Sequence, residues 1–181
     1  MQDLKNLNKA TNITLEEAAQ FLLSHDDFVI ISHANPDGDT FGCSHGLCCA
    51  LQKLGKRARI VCADPLPANF FHLKEAIEEQ DFEEKTIVSV DIADKTLMGK
   101  LESVYGDKVD LAIDHHLSHV SFSEKRYVDD EAAACCEIVY DLIKLLGATI
   151  DAPMPQCVYT GIATDTGCIK FANTTRLTHE K

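Results

Sequence analysis

Phe28-Val29-Ile30-Ile31-Ser32-His33-Ala34-Asn35-Pro36-Asp37-Gly38-Asp39 joins an apolar, β-branched run to a loop of carboxylates and one histidine. Two later stretches repeat the design. Thr86 to Val90 leads into Asp91-Ile92-Ala93-Asp94, and Val109 to Ile113 leads into Asp114-His115-His116. Such runs read as parallel strands buried on both faces. Acidic and imidazole groups at the carboxyl ends of parallel strands line the crevice where open α/β sheets hold ligands. A fourth stretch, Thr164-Asp165-Thr166-Gly167, adds another carboxylate.

Outward from these runs, helices alternate with strands. Thr14-Leu15-Glu16-Glu17 has the spacing of a capping box, and Leu15, Ala18, Ala19 and Leu22 follow at helical intervals, which predicts a helix over 14–24. The dozen residues before it read as a loose leader. A second helix is expected from about Thr40, with Cys43, Leu47, Ala50, Leu51 and Leu54 on one face and Gly55 ending it. Arg57 to Cys62 reads as a strand, and Pro65 and Pro67 precede an acidic helical stretch over 68–80. A short helix is expected over 95–102, an edge strand at Tyr127-Val128, and a helix through Ile138 to Leu146 closed by Gly147. Another helix starts near Pro153 and Pro155 and runs to Asp165, and residues 173 to 178 look like the capped start of a further element. The alternation predicts a doubly wound α/β fold, with a mainly parallel sheet and helices on both faces.

Bulk properties narrow the class. The 181 residues suffice for one well-buried domain, and 45% apolar with 25% charged content is ordinary for a globular chain. No apolar run approaches the roughly 20 residues of a membrane helix, and Met1 to Asn6 lacks the pattern of a secretory signal. A net charge of −12 argues against a grip on long double-stranded nucleic acid, which needs a basic surface, but permits a small phosphate-bearing substrate held through metal ions. The eight cysteines form no Cys-x-x-Cys. Cys48-Cys49 and Cys135-Cys136 fall in helical segments, and Cys43, Cys62, Cys157 and Cys168 lie among apolar neighbours. Buried, reduced thiols of a cytoplasmic protein are the expectation, with no membrane partner.

Carboxylate oxygens suit hard divalent cations, and imidazole suits manganese, iron and zinc. His33 and Asp37 flank an Asn-Pro turn; Pro36 stiffens it, and Gly38 is read as the bend that brings Asp37 and Asp39 to neighbouring positions. Two metals about 3.5–4 Å apart need a bridging group, and Asp91, from a different strand, is the natural one. Other residues read as structural. Asp94 fits a helix N-cap, and Phe70-Phe71 fits an apolar anchor better than a base-stacking pair. His25, His45, His72 and His179 read as surface or packing residues, and so does His119, although it lies close to the proposed site loop.

Taken in order, His33-x-x-x-Asp37-x-Asp39, Val90-Asp91, Asp114-His115-His116 and Thr164-Asp165-Thr166-Gly167 resemble the four motifs of the DHH phosphoesterase superfamily. Asn35 to Asp39, Gly161 to Gly167 and Phe171 to Thr175 look most like its NrnA-type branch, whose members degrade very short RNA, dephosphorylate adenosine 3′,5′-bisphosphate or cleave cyclic dinucleotides and their linear products. The resemblance implies two divalent ions, taken as Mn2+. One would be bound by His33, Asp37 and Asp91, the other by Asp39, Asp91, His115 and Asp165. Asp114 would orient a site histidine, and His116 would face the scissile phosphate. The implied substrate is a short oligoribonucleotide or small nucleotide; a homodimer stays open. Family members normally carry a C-terminal DHHA1 domain that grips substrate. Residues 1–181 read as the DHH catalytic domain alone, so the second domain is expected beyond Lys181 and this chain is expected to bind substrate poorly by itself. The rival readings are an inorganic pyrophosphatase or exopolyphosphatase and, from another class, a non-catalytic nucleotide-binding module.

Overall fold

The computed structural model describes residues 10–181. In chain order the elements are β1 (Thr11–Asn12), α1 (Leu15–Ser24), β2 (Phe28–Ile31), α2 (Gly38–Lys53), β3 (Ala58–Val61), a 3-10 segment (Ala68–Ala76), β4 (Thr86–Val90), a second 3-10 segment (Lys95–Leu101), α3 (Glu102–Tyr105), β5 (Leu111–Asp114), β6 (Lys125–Val128), α4 (Cys135–Leu146), α5 (Met154–Asp165) and α6 (Arg176–Glu180). The six strands form one sheet in the order β1-β6-β5-β4-β2-β3. Every neighbouring pair is parallel.

Alternation along the strands divides the core into two layers. Phe28, Ile30, Val88, Val90, Leu111 and Ile113 face a large cluster with Leu22 of α1, Leu47 and Leu51 of α2, and Val139, Leu142 and Ile143 of α4. Val29, Ile31 and Ile87 face the opposite way, against Met98 and Tyr105. Helices therefore cover one face thickly, while the segment from Lys95 to Tyr105 covers the other in a thin layer. The central strands are buried throughout, which is why β2 and β4 carry apolar residues on both faces rather than at alternate positions, with Thr86 and Ser89 of β4 as buried polar exceptions.

Local chemistry explains most boundaries. The Thr14–Glu17 capping box is formed, Asp94 caps the second 3-10 segment through the Thr96 N–H, and Gly147 ends α4 in the left-handed conformation. Thr175 and Thr178 cap α6, where the sequence pattern indicated a new element. Other expectations are corrected. The acidic stretch over 68–80 is only a 3-10 segment ending at Ala76, and the helix expected over 95–102 is broken at Gly99, whose φ is +59°. α2 begins at Gly38 because Asp37 accepts hydrogen bonds from the N–H groups of Asp39 and Thr40. Tyr127-Val128 belongs to β6, an interior strand, because Thr11–Asn12 of the supposed leader pairs on its outer side. Residues 1–9 of that leader lie outside the described residues. Cys168 is exposed and Cys62 half-buried, whereas the other six thiols are buried.

Candidate metal centre

β2 and β4 are neighbours, but the chain moves from β2 to β3 on one side and from β4 to β5 on the other. The crevice above their carboxyl ends is thus the point where strand order reverses, the favoured ligand position in open α/β sheets. His33 follows β2, Asp91 follows β4 and Asp114 ends β5. Asp91 and Asn35 turn the chain with φ of +58° and +52°, a region that Asp and Asn enter more readily than most residues.

Two clusters meet there. In the first, His33 donates Nδ1–H to the Ala34 carbonyl at 2.8 Å. Its Nε2 then lies 3.7 Å from Asp37 Oδ1 and 3.7 Å from Asp91 Oδ2. In the second, His115 donates Nδ1–H to the Ala132 carbonyl at 3.1 Å. Its Nε2 lies 3.4 Å from Asp165 Oδ2, 3.5 Å from Asp91 Oδ1 and 3.9 Å from Asp39 Oδ2. A backbone carbonyl holding one ring nitrogen, with the other turned to carboxylates, is how metal-binding histidines are commonly oriented. Asp91 divides its oxygens between the clusters. Its Oδ1 and His115 Nε2 are buried and have no hydrogen-bond partner among the described residues, a cost that a cation would relieve. The donor set therefore fits divalent ions, and the geometric groups His33/Asp37/Asp91 and Asp39/His115/Asp165 could each hold one.

Asp39 has a second attachment. Its Oδ2 accepts the Cys135 N–H at 2.6 Å and its Oδ1 accepts the Cys136 N–H at 2.9 Å. These are buried donors in the first turn of α4, which have no partner within the helix and whose N-cap, Ala134, has no hydrogen-bonding side chain to satisfy them. The carboxylate of one helix thus closes the N-terminus of another. α5 brings Asp165 to the same place because α2 and α5 approach very closely. A Cβ on Gly42 would sit 2.5 Å from the Cys157 carbonyl oxygen, and one on Gly161 would sit 2.5 Å from Asp39 Oδ1. Gly38 serves this contact too: a Cβ there would meet Thr164 at 2.5 Å, so its role is close packing and not the bend assigned from sequence.

Asp114 is fully buried. Its Oδ1 accepts His116 Nδ1–H at 2.7 Å and the His115 N–H at 2.8 Å. His116 is the more open of the two adjacent histidines, with 42% of its side chain exposed, and its Nδ1 lies 3.7 Å from Asp91 Oδ1. All eight residues singled out from sequence, His33, Asp37, Asp39, Asp91, Asp114, His115, His116 and Asp165, are brought together.

The charges explain why an ion would be welcome. Burial, reinforced by Asp39, pushes the Asp91 carboxyl well above the usual carboxylate range. Burial and the same neighbour push Asp165 up to about 7. Burial also raises Asp39. Burial works against charge on Asp37 and Asp114 as well. It is outweighed at Asp37 by His33 and the Thr40 N–H, and at Asp114 by His116 and His119, so both stay below the usual range. The hydrogen bond to Asp114 raises His116.

Sequence reasoning missed three contributors. His119 hydrogen-bonds Asp114, the backbone N–H groups of Cys135 and Cys136 hold Asp39, and the Asn173 side chain donates to the carbonyls of Ala133 and Asp165. Glycines every four residues in α2, at 38, 42 and 46, were a readable sign of close helix packing.

A parallel α/β sheet with two His–carboxylate clusters at its switch point defines a candidate metal-binding hydrolase domain. Residues 27–162 match the DHH family, N-terminal domain, and the chain belongs to that family. It is 39% identical over 151 residues to the bifunctional oligoribonuclease and PAP phosphatase NrnA of Thermus thermophilus, covering 81% of this chain and 45% of that protein. It is 26% identical over 159 residues to the protein of the same name from Bacillus subtilis, covering 85% of this chain and 50% of that one. The chain spans about half the length of these relatives. An exopolyphosphatase-related protein from Bacteroides fragilis shares the fold, with a TM-score of 0.80 at 22% identity over 92% of this chain and 54% of that one. Among the described residues, no helix is long and apolar enough to cross a membrane.

Proposed function

We propose that this domain performs metal-dependent hydrolysis of phosphoester bonds in short oligoribonucleotides or small nucleotides. The observation that carries the reading is the division of Asp91: Oδ2 faces His33 at 3.7 Å and Oδ1 faces His115 at 3.5 Å, so one carboxylate joins two cation-sized clusters. His33, Asp37 and Asp91 would hold one ion; Asp39, Asp91, His115 and Asp165 would hold the other. The ion proposed for both positions is Mn2+, which the carboxylate-rich donor set suits. When bound, such ions supply positive charge to the phosphoryl oxygens and lower the pKa of an attacking water.

The chain's own residues do the rest. Asp114 holds His116 through Nδ1, which leaves Nε2 as the atom that donates a proton to the leaving oxygen. The hydrogen bond to Asp114 raises the His116 pKa, which favours the protonated ring that such a donor needs. The fixed imidazole is an oriented donor, and orientation is where much of the rate advantage of a preassembled site arises. The names of the relatives, oligoribonuclease and PAP phosphatase, support a small nucleotide substrate. The relatives contain roughly as many residues outside the matched region as within it, and firm substrate grip is part of the proposal for such a second segment, with a cytoplasmic setting for the whole.

The test is a manganese titration followed by a substrate panel of linear diadenylate, adenosine 3′,5′-bisphosphate, cyclic diadenylate, pyrophosphate and polyphosphate. Hydrolysis of the nucleotides that stops with chelator supports the reading. Turnover confined to pyrophosphate or polyphosphate would replace it with one of the rival enzymes, and absence of metal binding would remove the hydrolytic reading altogether.

A further inference from the structure

We infer that His119, which lies outside all four site motifs, is a positioning residue for His116 and acts through Asp114. The inference rests on the function proposed above for His116. Asp114 is an acid with no exposed surface, and its two oxygens are served from two sides. Oδ1 takes His116 Nδ1–H at 2.7 Å, and Oδ2 takes His119 Nδ1–H at 2.7 Å. The carboxylate is clamped between two imidazoles, one that opens to the crevice and one that does not: 42% of the His116 side chain is exposed and 2% of that of His119.

The clamp is built as one unit. The His119 N–H donates to the His116 carbonyl at 3.0 Å, closing a tight turn between the two histidines. The next residue, Val120, donates its N–H to the Ala93 carbonyl at 2.8 Å, which ties the turn to the loop that follows Asp91. The His119 ring lies against Phe122 with centroids 5.4 Å apart. Its position is therefore set by backbone and ring packing, without a contact to the His116 ring.

The consequence follows from the cost of orphaned buried acceptors. Without His119, Oδ2 of a fully buried carboxylate would have no hydrogen-bond partner. Asp114 would then turn or draw in water to satisfy it, and the Nδ1 contact that aims His116 would loosen with it. The His119 side chain makes no hydrogen bond or ion pair with His33, Asp37, Asp39, Asp91, His115 or Asp165, so metal binding should survive its removal. That separates the role from a ligand role.

Two substitutions test it. His119→Phe keeps a ring against Phe122 and removes the N–H. His119→Asn keeps a donor near the place of Nδ1. Each is examined by nitrogen-15 NMR of the His116 imidazole in the metal-free chain, by calorimetric titration with manganese, and by kcat and KM on linear diadenylate in the most active form of the protein. The expected result is loss of the exchange-protected His116 Nδ1–H signal in the Phe variant and its return in the Asn variant, with manganese affinity within twofold of the parent in both. kcat should fall about tenfold or more for Phe with KM little changed, and recover for Asn. A folded Phe variant that keeps the His116 signal overturns the inference, as does an Asn variant that folds yet loses the signal. If the Phe variant does not fold, the Asn variant decides alone. If the parent shows no manganese-dependent turnover, the proposed function fails, and the NMR arm still judges the clamp.

Discussion

Adding one methyl group at Gly161 tests whether the α2–α5 approach builds the site. A Cβ there would lie 2.2 Å from Cys136 Sγ, 2.5 Å from Asp39 Oδ1 and 2.8 Å from Cys136 Cβ. Two effects compete. Alanine is favoured over glycine inside a helix by about 1 kcal/mol. Overpacking a well-filled interior costs about 1–3 kcal/mol and sometimes more. Here the clash should win, because none of the three atoms can swing aside: Cys136 is fully buried, and its N–H holds Asp39 Oδ1 at 2.9 Å. Relief requires α5 to move away by about an ångström, since carbon contacts are comfortable only near 3.5 Å. The net expectation for Gly161→Ala is a loss of about 1–2 kcal/mol, or a Tm lower by roughly 2–8 °C in a chain of this size. The same motion carries Asp165, four residues further along α5, away from His115, so manganese affinity should fall at least tenfold. Gly46 is the internal control. It lies on α2, on the glycine stripe that meets α5, but the nearest atom to its added Cβ is 3.7 Å away, an ordinary contact. Gly46→Ala should therefore gain most of the helix preference, up to about 1 kcal/mol. Urea unfolding followed by circular dichroism and calorimetric metal titration measure both quantities. Gly161→Ala with parental stability and parental manganese affinity would refute the reasoning.

Further expectations concern the ions. Asp91→Ala should abolish manganese-dependent hydrolysis and leave a folded domain, since removing one of several mutually repelling buried acids need not harm the metal-free protein; retained activity with a normal circular dichroism spectrum would show that Asp91 is not the bridge. Millimolar manganese should raise the melting temperature relative to chelator, because it binds only the native arrangement; a flat response in a thermal scan would count against the site. The metal-free protein should lose stability as pH rises from about 4 to about 7. Asp165 is pushed up to about 7, above its unfolded value, so its stabilising protonated form is present at low pH and is lost as pH passes the folded value. Asp165→Asn, which cannot titrate, should flatten that slope in chelator melts at the two pH values.

Much of this centre was readable in the chain because its parts are local. The run Thr86 to Val90 places Ile87 on one face and Val88 and Val90 on the other because both faces of β4 are buried, and Asp91 then emerges at the carboxyl end of that strand. The Thr14–Glu17 box, the Asp94 cap and the Gly147 stop each depend on residues within three or four positions of one another. The four motifs, in order along the chain, already contain all eight site residues. Only tertiary structure decided what lies between distant segments. The N–H groups of Cys135 and Cys136 reach Asp39 across about a hundred residues because α4 docks against the start of α2. Thr11–Asn12 becomes a strand because the outer edge of β6 offers unpaired backbone groups, not because of its own composition. His119 looks like any loop histidine in the sequence, and it matters because the turn after β5 folds it back onto Asp114. Periodicity and capping record forces that act over a few residues. The docking of α2, α4 and α5 and the clamp on Asp114 record forces between surfaces that meet only once the chain has folded.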